Sequence, residues 1–211
     1  MRMTPAFAKA FETCPLVAIL RGITPSEAPG IGSALAGEGF TLIEIPLNSP
    51  DPFDGIARMV AELGEQALVG AGTVLAVEDV ARVQDAGGRF IVSPDTNPAV
   101  IAEAKRRGMD ALPGYFTATE AFTALAAGAA GLKLFPAEGV SPGLLKAQRA
   151  VLPADAKVLA VGGVSEANMA EWRAAGADGF GLGSNLYKPG RTAADVAAAA
   201  RSLIDCERSL A

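Results

Sequence analysis

The chain has 211 residues and no histidine. That removes the commonest metal ligand and the commonest side chain for moving protons near neutral pH. No zinc site and no serine–histidine triad is expected, and no metal or other cofactor. Chemistry must rest on lysine, arginine, carboxylates, hydroxyls or backbone groups. Cysteine is scarce: Cys14 and Cys206 stand at opposite ends. They could pair, but reduced thiols in a cytoplasmic protein are the expectation. No apolar run reaches the roughly 18 residues of a membrane span. The opening "MRMTPAFAKAFETCPL" lacks the sustained apolar segment of a secretory signal, so no membrane association is expected. Positive charge is in deficit, with 18 Lys and Arg against 23 Asp and Glu. A general nucleic-acid partner, which needs a basic face, is therefore not expected. A small positive pocket for an anionic metabolite remains compatible with that balance.

Half of the residues are hydrophobic, enough for one sizeable core. Glycines recur just before apolar runs: Gly39 before "FTLIEIPL", Gly64 before "ALVGAG", Gly87 and Gly88 before "RFIVSP". Gly108, Gly128 and Gly176 continue the series. A glycine that ends a helix adopts the left-handed conformation without a Cβ penalty. The intervening stretches are alanine-rich with helical spacing, and Thr24 with Glu27 and Thr117 with Glu120 have capping-box spacing. Each unit reads strand, loop, helix, glycine. Eight strands are expected, near Val17–Leu20, Leu42–Ile45, Leu68–Val69, Phe90–Val92, Ala111–Leu112, Leu132–Leu134, Val158–Val161 and Gly179–Leu182. Most are short continuous apolar runs, as in parallel strands covered on both faces. The pattern predicts a single (β/α)8 TIM-barrel domain over residues 1–211, with an extra helix, Thr4 to Thr13, closing its bottom. A doubly wound open sheet is the rival.

In a barrel, the C-terminal strand ends form the active face. Read in order, they supply Arg21, Glu44, Thr73, Pro94, then Lys133 inside "LKLFP", Gly162 with Gly163, and Gly183 with Ser184. Each has a plainer reading. Lys133 could be structural and Glu44 its ion-pair partner; Arg21 could be ordinary surface; Thr73 could be a common strand residue; the glycines could be tight turns. Their convergence on one rim is what points to chemistry. A buried lysine is driven toward its neutral amine by desolvation and by nearby cations. That amine can attack a ketone to form a Schiff base, which draws electrons from an adjacent carbon–carbon bond. "VGGVS" and "GLGS" after the last two strands are placed as a backbone phosphate site.

The blocks "AILRGITP", "IEIPLNSP", "GAGTVL", "LKLFPAE", "AVGGVS" and "GLGS" resemble the class I 2-keto-3-deoxy-6-phosphogluconate and -galactonate aldolases over nearly the whole chain. The resemblance implies that Lys133 is the Schiff-base lysine and Glu44 the proton-transferring acid. It places Arg21 and Thr73 at the pyruvate carboxylate, and Pro94 and Phe135 around the pyruvyl group. Gly162, Gly163, Gly183 and Ser184 fall on the phosphate residues. The gluconate branch commonly carries an arginine and threonine after the second strand and a threonine before the glycine pair. Here Asn48 and Val161 stand at those places, which points to the galactonate branch and makes both residues candidate substrate contacts. The implied reaction is metal-independent cleavage of 2-dehydro-3-deoxy-6-phosphogalactonate, a phosphorylated keto-deoxy sugar acid, to pyruvate and glyceraldehyde 3-phosphate in galactonate catabolism. The implied assembly is a homotrimer. The alternatives are the gluconate epimer or both epimers as substrate, a phosphosugar isomerase or epimerase, and a non-catalytic sugar-phosphate binder.

Overall fold

The computed structural model describes residues 3–210. Its strands are β1 (Leu16–Ile19), β2 (Leu42–Pro46), β3 (Leu68–Gly72), β4 (Phe90–Val92), β5 (Asp110–Leu112), β6 (Gly114–Tyr115), β7 (Leu132–Leu134), β8 (Val158–Val161) and β9 (Gly179–Leu182). The helices that bear on the site are α1 (Pro5–Thr13), α2 (Ala28–Glu38), α3 (Pro52–Leu63), α4 (Val77–Asp85), α5 (Pro98–Arg106) and α6 (Ala118–Ala127). Three more, α7 (Pro142–Arg149), α8 (Met169–Ala174) and α9 (Ala193–Arg208), follow later strands. The strands form one parallel sheet in the order β5-β4-β3-β2-β1-β9-β8-β7-β6.

Only Pro113 separates β5 from β6. Proline has no backbone N–H, so it cannot donate to a sheet ladder. Its carbonyl still accepts from Lys133 N at 2.9 Å, and Ala111 O accepts from Ala130 N at 2.9 Å. β5 pairs with β4, and β6 pairs with β7. The two pieces thus share one barrel position, and eight positions close the ring. The fifth strand therefore extends past the expected Ala111–Leu112 and is broken in the middle. The first runs Leu16–Ile19 rather than Val17–Leu20, and the third continues to Gly72.

Side chains alternate across these strands, as the two-residue period requires. Ala18, Ile43, Ile45, Leu132, Leu134 and Ala160 join the layer under the helices. Val17, Ile19, Leu42, Phe90, Leu112 and Leu159 fill the barrel interior. In phase with that second set, Glu44 and Lys133 face inward. The helices end as the glycine rhythm indicates. Gly39 takes φ 108° after α2, and its N–H bonds to Ala36 O while that of Phe40 bonds to Leu35 O. The capping box at Thr117 and Glu120 opens α6. The one expected at Thr24 does not form, since α2 begins at Ala28. There the Thr24 hydroxyl donates to Glu27 Oε2 at 2.6 Å, but the Glu27 N–H donates to the Thr24 backbone carbonyl at 3.1 Å and not to that hydroxyl.

Helix α1 plugs the bottom of the barrel. Thr4 caps it, and Asp110 at the start of β5 accepts from both Thr4 N, at 2.9 Å, and Thr4 Oγ1, at 2.6 Å. Phe7 is fully buried, with its ring edge-on to Phe90 at 5.4 Å and stacked with Phe11 at 6.3 Å. Truncating such a ring costs about 3–5 kcal/mol. Phe7→Ala should therefore lower the denaturant midpoint by that much stability with an unchanged m-value in urea titrations. An unaltered midpoint would mean that α1 does not contribute to the core.

Candidate active site

The inward phase of β2 and β7 brings Glu44 and Lys133 to the same interior. Both are almost wholly buried, at 2 % and 7 % exposed. Their charges act on one another, yet among the described residues no hydrogen bond joins them, and Glu44 Oε2 has no partner at all. A structural lysine would be held by a bonded carboxylate, and this one is not. Lys133 Nζ lies 4.6 Å from the centroid of the Phe135 ring. Burial drives the Lys133 amine below the usual lysine range; Glu44 opposes that and Arg21 adds to it. Burial likewise pushes Glu44 up to about 7, against the pull of Lys133 and Arg21. Both shifts favour neutral forms. The pair can therefore offer an amine nucleophile and a carboxyl group able to give or take a proton near neutral pH.

Room for Glu44 comes from β3. A Cβ built on Gly72 would stand 2.2 Å from Glu44 Oε2 and 2.7 Å from its Cδ. The side chain occupies the space that any other residue at position 72 would fill. The next residue, Thr73, has φ 56°, a left-handed conformation that is costly for a β-branched residue and that gathers at functional sites.

Two spaces meet at this end of the barrel. The inner one, about 10 Å³, lies between Glu44, Lys133, Val17, Val92 and Leu112, a volume close to that of one water. The outer cavity, about 480 Å³, is lined by Arg21, Phe135, Val161, the Gly162–Gly163 pair, Gly183 and Ser184. Gly162 and Gly163 are successive residues of positive φ, at 106° and 67°, a backbone that glycine adopts without a Cβ penalty. Among the described residues the backbone N–H groups of Gly162, Gly163, Gly183 and Ser184 donate to no protein acceptor. Four free donors around one cavity suit an anion.

Three of the residues singled out in the sequence line neither space. Thr73 and Pro94 stand on the β3–β4 side of the mouth, where the Val74 N–H donates to Val92 O at 3.2 Å and Ser93 Oγ donates to Val74 O at 2.6 Å. Asn48 is exposed, and its Oδ1 accepts from Arg21 Nη1 at 2.9 Å. That bond joins it to one of the residues that line the outer cavity. The outer cavity also has walls that the sequence reading passed over: Glu138, Ser165, Asn185, Tyr187 and Lys188. All five fall within or just after the motif blocks: Glu138 ends "LKLFPAE", Ser165 ends "AVGGVS", and the other three follow "GLGS". Lys188 and Arg21 against Glu138 leave the lining with one excess positive charge.

The model of the KDPG and KHG aldolase family matches residues 8–201. A Rhizobium meliloti (strain 1021) protein named probable 2-dehydro-3-deoxy-6-phosphogalactonate aldolase is 56 % identical over 182 residues, 86 % of each chain. A 2-dehydro-3-deoxy-phosphogluconate aldolase from Treponema pallidum (strain Nichols) is 32 % identical over 165 residues, 77 % of this chain and 78 % of its own. The solved structure described as native KDPGal superposes with a TM-score of 0.91 at 47 % identity, covering 93 % of this chain and 95 % of that one.

Proposed function

Because the chain belongs to the KDPG and KHG aldolase family, we propose that it is a Schiff-base aldolase cleaving 2-dehydro-3-deoxy-6-phosphogalactonate to pyruvate and D-glyceraldehyde 3-phosphate. The observation that carries the chemistry is Lys133, buried beside Glu44, whose Oε2 has no hydrogen-bond partner. The greater identity to the galactonate relative than to the gluconate one supports the choice of epimer.

In this reading the neutral Lys133 amine attacks the C2 ketone. Glu44 supplies the proton with which the carbinolamine loses water, leaving a protonated imine. Glu44, now a carboxylate, takes the C4 hydroxyl proton, directly or through one water. The C3–C4 electron pair moves toward the imine nitrogen, the aldehyde departs, and an enamine of pyruvate remains. Protonation at C3 and addition of water then release pyruvate and restore the amine. Arg21, held by Asn48, faces the substrate anion. The free amides of the glycine pair, Gly183 and Ser184 hold the phosphate. Thr73 and Pro94, beside the mouth, close the pyruvyl end together with Phe135. The enzyme is a cytoplasmic homotrimer in this reading, and the exposed Phe116 and Phe122 are apolar surface that a subunit contact would cover. The test is incubation of the protein with pyruvate and borohydride. One pyruvyl group per chain, mapped to Lys133, is expected; no incorporation would overturn the mechanism.

Preference between epimers is assigned to Val161, which borders both the inner space and the outer cavity. The two substrates differ only at C4. A threonine hydroxyl could pair with one epimer's hydroxyl, whereas valine has the same shape and no such bond. One hydrogen bond is worth about 0.5–1.5 kcal/mol, up to roughly tenfold in rate. The expected result is a kcat/KM favouring the galactonate epimer. Val161→Thr should raise the relative rate on the gluconate epimer by up to about that factor, measured by coupled pyruvate release. A wild-type preference for the gluconate epimer would overturn the choice of substrate and leave the Schiff base untouched.

A further inference from the structure

Three residues, Ile19, Val161 and Gly181, line both the lysine chamber and the outer cavity. They form the neck between the two. Gly181 sits in β9 beside Val17 of β1 and Val161 of β8, facing inward. Its backbone is not left-handed, so conformation does not demand glycine there. Space does. A Cβ at 181 would lie 2.7 Å from Val161 Cγ2, 3.1 Å from Val161 Cγ1 and 3.3 Å from Ile19 Cδ1. Every close approach is to one of the other two neck residues. A single methyl group at this position would displace both and narrow the passage.

We propose that Gly181 is a specificity-determining residue: its missing side chain sets the bore of the neck that holds the carbons joining the reacting ketone to the phosphate. This rests on the aldolase reading, in which C2 is bonded to Lys133 and the phosphate sits on the free amides of the outer cavity. The neck then contains C4 to C6, the aldehyde half of the substrate. Pyruvate has no such carbons. Pyruvate crosses the neck but leaves no carbon in it once bonded, so Gly181 governs the seating of the aldehyde half and is indifferent to the extent of imine formation at saturating pyruvate. The ligand class that this geometry selects is an unbranched 2-keto acid with a terminal phosphate.

The experiment compares two readouts on purified wild type and Gly181→Ala: the extent of borohydride labelling at saturating pyruvate, and kcat/KM for cleavage of the six-carbon phosphorylated substrate. Labelling should stay within about twofold, while cleavage falls by about 10²-fold, the scale of loss when reacting groups are misplaced by about 1 Å. Val161→Leu, which fills the same gap from β8 and leaves the β9 backbone alone, should reproduce the split. Val161→Ala added to Gly181→Ala removes the γ-methyl groups that collide and should restore cleavage. Equal loss of both readouts, or wild-type cleavage by Gly181→Ala or by Val161→Leu, would overturn the role of the neck. Failure of wild type to label with pyruvate would instead overturn the aldolase reading, so the two failures are distinguishable.

Discussion

Lys133→Ala is expected to take up no pyruvyl group and to lose turnover by roughly 10⁴-fold or more, the scale of an enzyme deprived of its nucleophile. The expectation follows from the strand. Leu132 and Leu134 face the helices while Lys133 alone faces the interior, so no neighbouring lysine can substitute from the same strand. Lys133→Arg separates the nucleophile from the charge. A guanidinium keeps the cation but never becomes a neutral amine near pH 7, so this variant should be as inactive as the alanine one. Labelling that persists at another lysine in Lys133→Ala would overturn the assignment, as would turnover by Lys133→Arg. EDTA should leave wild-type turnover unchanged, since the proposed route calls on no metal.

Glu44→Gln should retain labelling with pyruvate to a much greater degree and lose turnover by roughly 10²–10⁴-fold, the usual contribution of a positioned acid–base group. The pH behaviour gives a second readout. Burial raises the carboxyl to about 7, and the first task of Glu44 is to give a proton to the carbinolamine, so wild-type turnover should fall as pH rises through that value and the acid form empties. That limb should be absent from the residual activity of Glu44→Gln. Stability moves the same way. Between the unfolded value near 4.5 and the folded value near 7, the native state holds more of this proton than the unfolded chain does. The contribution of Glu44 is thus present at low pH and lost as pH rises through 7. Lys133, lowered by burial, acts with opposite sign, and its stabilising limb lies at alkaline pH. Replacing Glu44 by neutral glutamine should flatten the decline between pH 5 and 7 and raise Tm at pH 8, by roughly 2–4 °C for each kcal/mol. A variant with wild-type turnover would hand the proton transfers to another group.

The barrel was legible because its signals are local. A glycine at or just past the end of α2, α3, α4, α5, α6 and α8 and a short apolar run after it are properties of neighbouring residues, and six of the eight expected strands fall within two residues of their place at each end. The third runs three residues further, to Gly72, and the fifth, across its break, three further, to Tyr115. Lys133 and Glu44 stood out for a similar reason: a charge in a buried run has few uses. What lay across the sheet was not legible. Gly72 reads as part of a turn in "GAGT", and nothing nearby says that its absent side chain shelters Glu44 from the next strand. Asn48 reads as a candidate substrate contact, and nothing near it in the sequence says that its Oδ1 accepts from Arg21, 27 positions earlier. Thr73 and Pro94 stand at strand ends like the others, but which strand ends share a cavity depends on barrel tilt and loop path. Pro113 was visible in "DALPGY"; its effect, a strand that breaks and resumes, depends on the partners on either side.

Helix α1 is made well before several of the strands it seats against. Its latch, Asp110, is translated 106 positions after Thr4, and Phe11 meets the β9 backbone at Gly179, later still. At synthesis rates of about 5–20 residues per second, the apolar face bearing Phe7 and Phe11 waits through most of translation for a cavity that does not yet exist. Contacts so distant along the chain slow assembly, because the closure entropy is met before any burial returns it. The nascent chain thus carries an aromatic pair whose partners at β5 and β9 are still to be made.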